Sequence, residues 1–143
     1  MVNFPTIDIA ASGLAAERFR MEVTANNLAN ASTTMTENGD PYRRQAVVFA
    51  AGADPTEDPK SAASMHGVQV VGVQPDGTDF PTIYNPSHPH ADAEGFVRLS
   101  NVKIPEEMVD LITASRSYEA NTKAISVFKE MVEQTLTLLQ GGQ

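Results

Sequence analysis

The sequence has no cysteine and no tryptophan in 143 residues. Without cysteine there are no disulfides, no thiolate metal sites and no cysteine nucleophile. Aromatic residues make up only 6%, so a core must rest on aliphatic side chains and methionine. Positive charge is also scarce, with 10 Lys and Arg against 18 Asp and Glu and a net charge of −8. Nucleic acids and anionic membrane surfaces demand a basic face, so neither fits as a partner. No run is long or apolar enough to span a bilayer. The opening Met1-Val2-Asn3-Phe4-Pro5 lacks the basic and apolar regions of a cleaved secretory signal. Nucleophile-elbow, zinc-protease, P-loop and dinucleotide-binding motifs are missing too. These absences point away from catalysis: no catalytic residue, metal ligand, cofactor or small-molecule substrate is assigned.

What is present is heptad spacing at both ends. From about Thr6 to Asn30, Ile7, Leu14, Met21 and Leu28 recur every seventh residue, with Ala11 and Ala25 between them and Arg18 interrupting. Pro5, Thr6 and Asp8 suit a helix start. Gly13 stands out, because glycine costs about 1 kcal/mol relative to alanine inside a helix. From Pro105 to about Gln140, Leu111, Tyr118, Ile125, Val132 and Leu139 recur in the same way, with Ala114, Phe128 and Leu136 between them. Pro105, Glu106, Glu107 and Asp110 suit its start and Gly141-Gly142 its end.

Between these ends lie most of the glycines and prolines. The runs Gln45–Ala50, Gly67–Gln74 and Phe96–Ser100 read as short strands, joined by turns at Asn38-Gly39-Asp40-Pro41 and Pro75-Asp76-Gly77. Ala51–Ser64 reads as an exposed polar loop. The expected fold class is α+β: residues 1–30 an N-terminal helix, 31–104 a small β-rich middle, and 105–143 a long C-terminal helix. A helix of that length, roughly 54 Å by its rise, outruns a β middle only about 25 Å across. The two helices are therefore expected to form a coiled-coil-like pair and to present further apolar surface to other subunits. The same stripes would also suit the buried helix faces of an ordinary monomer.

One segment carries metal-type chemistry. His88-Pro89-His90-Ala91-Asp92-Ala93-Glu94 puts two imidazoles and two carboxylates in seven residues, a possible divalent-cation set. Its plainer reading is a solvated turn before a strand. His66 has no partner at ligand spacing, and Asp76-Gly77-Thr78-Asp79 lacks the distal Glu of an EF-hand loop.

Three motifs in order carry a resemblance. Ala25-Asn26-Asn27-Leu28-Ala29-Asn30 closes the first helix and leads through a polar stretch into Pro41-Tyr42-Arg43-Arg44-Gln45. Tyr84-Asn85-Pro86 opens the stretch that ends at Gly95-Phe96-Val97. Ser115-Arg116-Ser117-Tyr118-Glu119-Ala120-Asn121 lies in the second helix. Together they resemble the rod and hook axial proteins of the bacterial flagellum, and their proximal rod members in particular. The resemblance runs from about Ile7 to Leu139.

That resemblance implies a structural subunit whose terminal helices build the inner tube of an axial drive shaft for motility. It implies as partners other rod proteins, further copies of this chain, the basal-body ring and the flagellar type III export apparatus. It places the subunit in the rod within the cell envelope, on the periplasmic side, exported without a cleaved signal. In residue terms, Ile7, Leu14, Met21 and Leu28 are expected to pack against Leu111, Tyr118, Ile125 and Val132. Asn26, Asn27, Asn30 and Asn121 are expected to satisfy buried or turn backbone groups and fix register. The competing readings are a different rod or hook axial protein, an export adaptor built of helices, and a metal-binding protein using His88 and His90.

Overall fold

A computed structural model describes residues 5–52 and 67–140, and the structural statements below concern those residues. Helix α1 spans Pro5–Ala29 and helix α2 spans Ile104–Gln140. Strands β1 (Gln45–Ala51), β2 (Val68–Pro75), β3 (Thr82–Tyr84) and β4 (Phe96–Arg98) lie between them. This is the α+β arrangement that the sequence implied.

Alanines and straight-chain residues favour α1. Its end is held by Asn30, whose Nδ2 donates to the Asn26 carbonyl at 2.9 Å while its Oδ1 accepts from Thr33 Oγ1 at 3.2 Å. Lone carbonyls at a helix end need such donors. At 37 residues, α2 is roughly 55 Å long by its rise. It begins after a turn in which Ser100 Oγ accepts the Val102 N–H at 3.2 Å, and the Lys103 carbonyl accepts the Glu107 N–H at 3.1 Å.

The helices run antiparallel in one register. Asn121 lies against Gly13, close enough that a Cβ on Gly13 would stand 2.8 Å from its Nδ2. At the other end Asn27 bonds Glu107 at 2.9 Å. Fourteen residues separate the two contact points on each helix, so the axes stay level between them. Gly13 thereby explains itself: the missing Cβ makes room for Asn121. Eight residues before Gly13, α1 begins; eight after Asn121 is Lys129. The last 11 residues of α2, Glu130–Gln140, thus extend past the start of α1 by roughly 16 Å.

β1 and β2 pair antiparallel and pack on α1. A bulge lies between Val48, opposite Gly72, and Phe49, opposite Val70, leaving Val71 unpaired and 67% exposed. The strand ends are clasped where Gly52 N–H donates to the Gly67 carbonyl at 2.8 Å. β3 and β4 form a second antiparallel pair, and β3 was not foreseen in the sequence. Gly95, with φ of 86°, turns the chain into β4 and lies against the Tyr84 ring, where a Cβ would stand 2.9 Å from Cε2. The expected strand limits shift slightly: Gly67 precedes β2, and Leu99 and Ser100 follow β4. Ala51 closes β1 rather than opening a loop; 53–66, including His66, and Gly141-Gly142 lie outside the described residues.

The buried core is short and unusually polar. Ala16, Val97, Val102 and Ala114 are its buried apolar residues, against Thr24, Asn27, Ser100, Asn101 and Glu107 among the polar ones. Polar side chains equal or outnumber apolar ones there, so hydrogen bonding must specify the fold as much as packing does.

Candidate functional site

The deepest polar cluster joins α1, α2 and β1. Asn27, 1% exposed, sits in the last turns of α1. Its amide pairs with both main-chain groups of Gln45 in β1: Nδ2 donates to the Gln45 carbonyl at 2.8 Å, and Oδ1 accepts the Gln45 N–H at 2.9 Å. Nδ2 also donates to Glu107 Oε2, and Oδ1 accepts from the Tyr42 hydroxyl at 2.9 Å. Asn26 Nδ2 then donates to Tyr42 at 3.2 Å. One asparagine thus fastens a strand, a loop and a helix to α1.

Glu107 is the counterpart on α2, also 1% exposed. A buried carboxylate needs pairing and hydrogen bonds to persist. Arg44 Nε supplies both at 2.5 Å, and the same guanidinium reaches Asp110 at 3.2 Å and Asp76 at 3.5 Å. Burial opposes the charge of Arg44, but the hydrogen bond and charge of Glu107, with Asp110 and Asp76 behind, outweigh it and raise its pKa. The Tyr42 hydroxyl is also pushed up, first by burial and then by Glu107, with the Asn26 hydrogen bond working against the shift. Asp76 is held below the usual carboxylate range, chiefly by hydrogen bonds from the Thr78 hydroxyl and N–H, with Arg44 adding to them.

A second layer supports these groups. Asn101 Oδ1 accepts the Arg44 N–H at 2.7 Å. Arg43 donates to the carbonyls of Asp76 at 2.7 Å and Thr78 at 2.9 Å. Two guanidiniums lie over the Phe80 ring, Arg43 at 4.2 Å and Arg98 at 4.9 Å from its centre. The charges and hydrogen-bonding groups of this cluster satisfy one another.

The heptad residues occupy graded depths. Ile7, Leu14, Met21 and Leu28 are half-buried, as are Leu111, Tyr118, Ile125 and Val132. Ala16, Thr24 and Asn27 lie deeper, so small and polar side chains form the innermost line of α1. Ala11, Arg18 and Ala25 are exposed; the expected intermediate line on α1 therefore faces away from the interior. On α2, Ala114 is buried and Phe128 half-buried, but Leu136, Leu138 and Leu139 are exposed, the last two at 78% and 72%. A further exposed apolar stripe, Ile104, Met108, Val109 and Ile112, runs along the first turns of α2.

The remaining motif residues scatter. Tyr84 and Pro86 are exposed and Asn85 half-buried, with Tyr84 edge-on to Phe96 at 5.4 Å. Ser115 and Asn121 are half-buried, and Arg116 is exposed. The His88–Glu94 segment is a turn. His88 Nδ1 accepts the His90 N–H at 3.1 Å, His90 Nδ1 meets Thr34 Oγ1 at 2.8 Å, and Asp92 Oδ1 accepts the N–H of Glu94 and Phe96. Sequence reasoning missed Arg44, Glu107, Asp110, Asp76 and Asn101 as one cluster. A signal existed for Glu107: it stands seven residues before Ala114 on the inward line that continues to Asn121 and Phe128.

An antiparallel pair of terminal helices, locked at one end by a polar cluster and left open at the other, describes an assembly subunit. Family comparison gives the class. Residues 7–34 match the model "Flagella basal body rod protein", and residues 93–138 match "Flagellar basal body rod FlgEFG protein C-terminal". Relatives described as flagellar basal-body rod protein FlgC come from Borreliella burgdorferi, Escherichia coli O157:H7 and Aquifex aeolicus. The first is 40% identical over 96% of this chain and 98% of its own length. The others are 41% and 44% identical, over 93% and 92% of this chain and 95% and 93% of theirs. The chain belongs to the flagellar basal-body rod protein FlgC family. It is a structural subunit of the basal-body rod and assembles with other rod components.

Proposed function

We propose that this subunit takes a place in the proximal rod and polymerises through α1 and α2 into the axial drive shaft, catalysing no reaction. Residues 1–30 and 105–143 then form its inner-tube part and 31–104 the outer part. The observation that carries this reading is the overhang of α2. Its inward line continues through Phe128 and Val132 toward Leu139 beyond the level of Pro5, where α1 starts, and Met131, Leu136, Leu138 and Leu139 stand exposed there. Apolar surface of that kind is stable only when covered.

On this reading Ile7, Leu14, Met21 and Leu28, with Leu111, Tyr118, Ile125 and Val132, hold the subunit's own pair, while Leu139 and its neighbours meet other subunits. Partners are neighbouring rod proteins, further copies, the basal-body ring and the type III export apparatus, which delivers the chain to the periplasmic side without a cleaved signal. The test is complementation of a strain lacking the gene, followed by electron microscopy of purified basal bodies. Wild-type protein should restore complete rods and swimming. Complete rods without the protein would reject the reading.

A further inference from the structure

The start of α1, the β1–β2 pair and the middle of α2 enclose a groove of about 470 Å³. Its walls are mainly apolar, with Ile9, Ala16, Phe49 and Val68 prominent. Two polar side chains enter it with unused hydrogen-bonding capacity. Glu17 has its Oε2 buried and without a hydrogen bond; Arg20 stands at 3.5 Å, near enough to balance charge but not bonded. Asn121 lines the same groove, half-buried, and its side-chain amide has no hydrogen-bond partner among the described residues.

The cluster at the other end of the helix pair makes the contrast telling. There Asn27 spends its amide on the main chain of one residue, donor to the Gln45 carbonyl and acceptor to the Gln45 N–H. Asn121, fourteen residues from Glu107 on the same helix, offers the same donor–acceptor pair, unmatched among the described residues. A primary amide matches the main-chain N–H and C=O of one residue of another chain, and a buried carboxylate oxygen calls for a donor. Apolar walls supply the remaining area, and a net charge of −8 favours a basic partner.

We propose that this groove receives a polypeptide segment from a neighbouring subunit of the rod, apolar in its side chains and carrying one Lys or Arg. The main-chain N–H and C=O of one residue of that segment pair with the Asn121 amide, and its basic side chain donates to Glu17. The proposal rests on the reading of this chain as an assembling rod subunit and names the chemistry of one of its contacts.

The test uses photo-crosslinking in a strain lacking the gene. Ile9→p-benzoylphenylalanine and, separately, Val68→p-benzoylphenylalanine place the probe at the groove. Cells are irradiated, basal bodies purified, and the crosslinked peptide sequenced by mass spectrometry. The expected peptide comes from another subunit, is apolar and contains Lys or Arg. Glu17→Leu should lower the crosslink yield about fivefold, the usual net worth of one hydrogen bond, while Glu17→Gln, which keeps an acceptor, should retain most of it. Both variants must still enter rods, which separates a lost contact from a lost fold. No crosslink from either position in complete rods, a crosslinked peptide lacking a basic residue, or equal yields in Glu17→Leu and wild type would overturn the proposal and leave the rod reading intact. Failure of wild-type protein to enter rods would reject the rod reading instead.

Discussion

The two ends of the helix pair are built on opposite principles. Where α1 ends and α2 begins, Asn27, Tyr42, Arg44 and Glu107 bind one another with geometric demands that few alternative arrangements would meet. Where α2 runs past α1, exposed Met131, Leu136, Leu138 and Leu139 make no such demands. Hydrogen-bonded polar groups specify a unique arrangement, because any left unpaired is costly. Apolar surface gives attraction with little direction. One end is therefore suited to fixing the subunit's own shape, and the other to joining.

Breaking the locked end should have the largest effect on folding. Glu107→Ala leaves Arg44 and Asn27 without their shared acceptor and should cost about 3 kcal/mol, the low end for a broken buried pair because Arg44 keeps Asp110 and Asp76. Urea denaturation reads this directly; an unchanged midpoint would mean that the cluster does not hold the helices. Asn27→Ala should cost about 2 kcal/mol, since the half-buried N–H and C=O of Gln45 in β1 both lose this partner. Amide exchange at Gln45 should accelerate with it.

The same end should respond to pH at both extremes. Asp76 is depressed in the folded state, so its contribution is complete above the ordinary aspartate value near 4 and declines as pH falls through its folded value. Tyr42 is raised, so its contribution is complete below the ordinary tyrosine value of about 10 and declines as pH rises through its folded value. Asp76→Asn should flatten the acid limb of the stability profile, and Tyr42→Phe the alkaline limb. Limbs unchanged by these substitutions would assign them to other groups.

The smallest effect on stability belongs to the open end. Leu138→Lys should change the urea midpoint by less than about 0.5 kcal/mol, as exposed substitutions do. The same substitution should nevertheless stop rod completion and swimming. A large loss of stability would show that the tip serves the subunit's own fold; normal swimming would show that it joins nothing.

Periodicity made the helices legible. Ile7, Leu14, Met21 and Leu28, and Leu111 to Leu139, announce helix by spacing alone, and both helices end within a residue or two of their expected limits. The same spacing misjudged what lies innermost on α1, because a hydrophobic count passes over Gly13, Thr24 and Asn27. Their depth comes from the close approach of a second helix, which no local pattern records. β3 escaped notice because its three residues lie between Pro81 and Pro86, in a stretch whose prolines read as turn. The Arg44–Glu107 pairing spans 63 residues of sequence, and only the folded chain brings its members together.

The clasp between Gly52 and Gly67 has a consequence of its own. With the two strand ends tied at 2.8 Å, the register of β1 and β2 is held at both its ends, since at the far end the Asp76 N–H donates to the Arg44 carbonyl at 2.8 Å. Closure entropy grows slowly with length, and doubling a flexible connection costs only about 0.6 kcal/mol. An epitope tag introduced between these glycines should therefore leave the β1–β2 register in place and report where the hairpin lies in the rod.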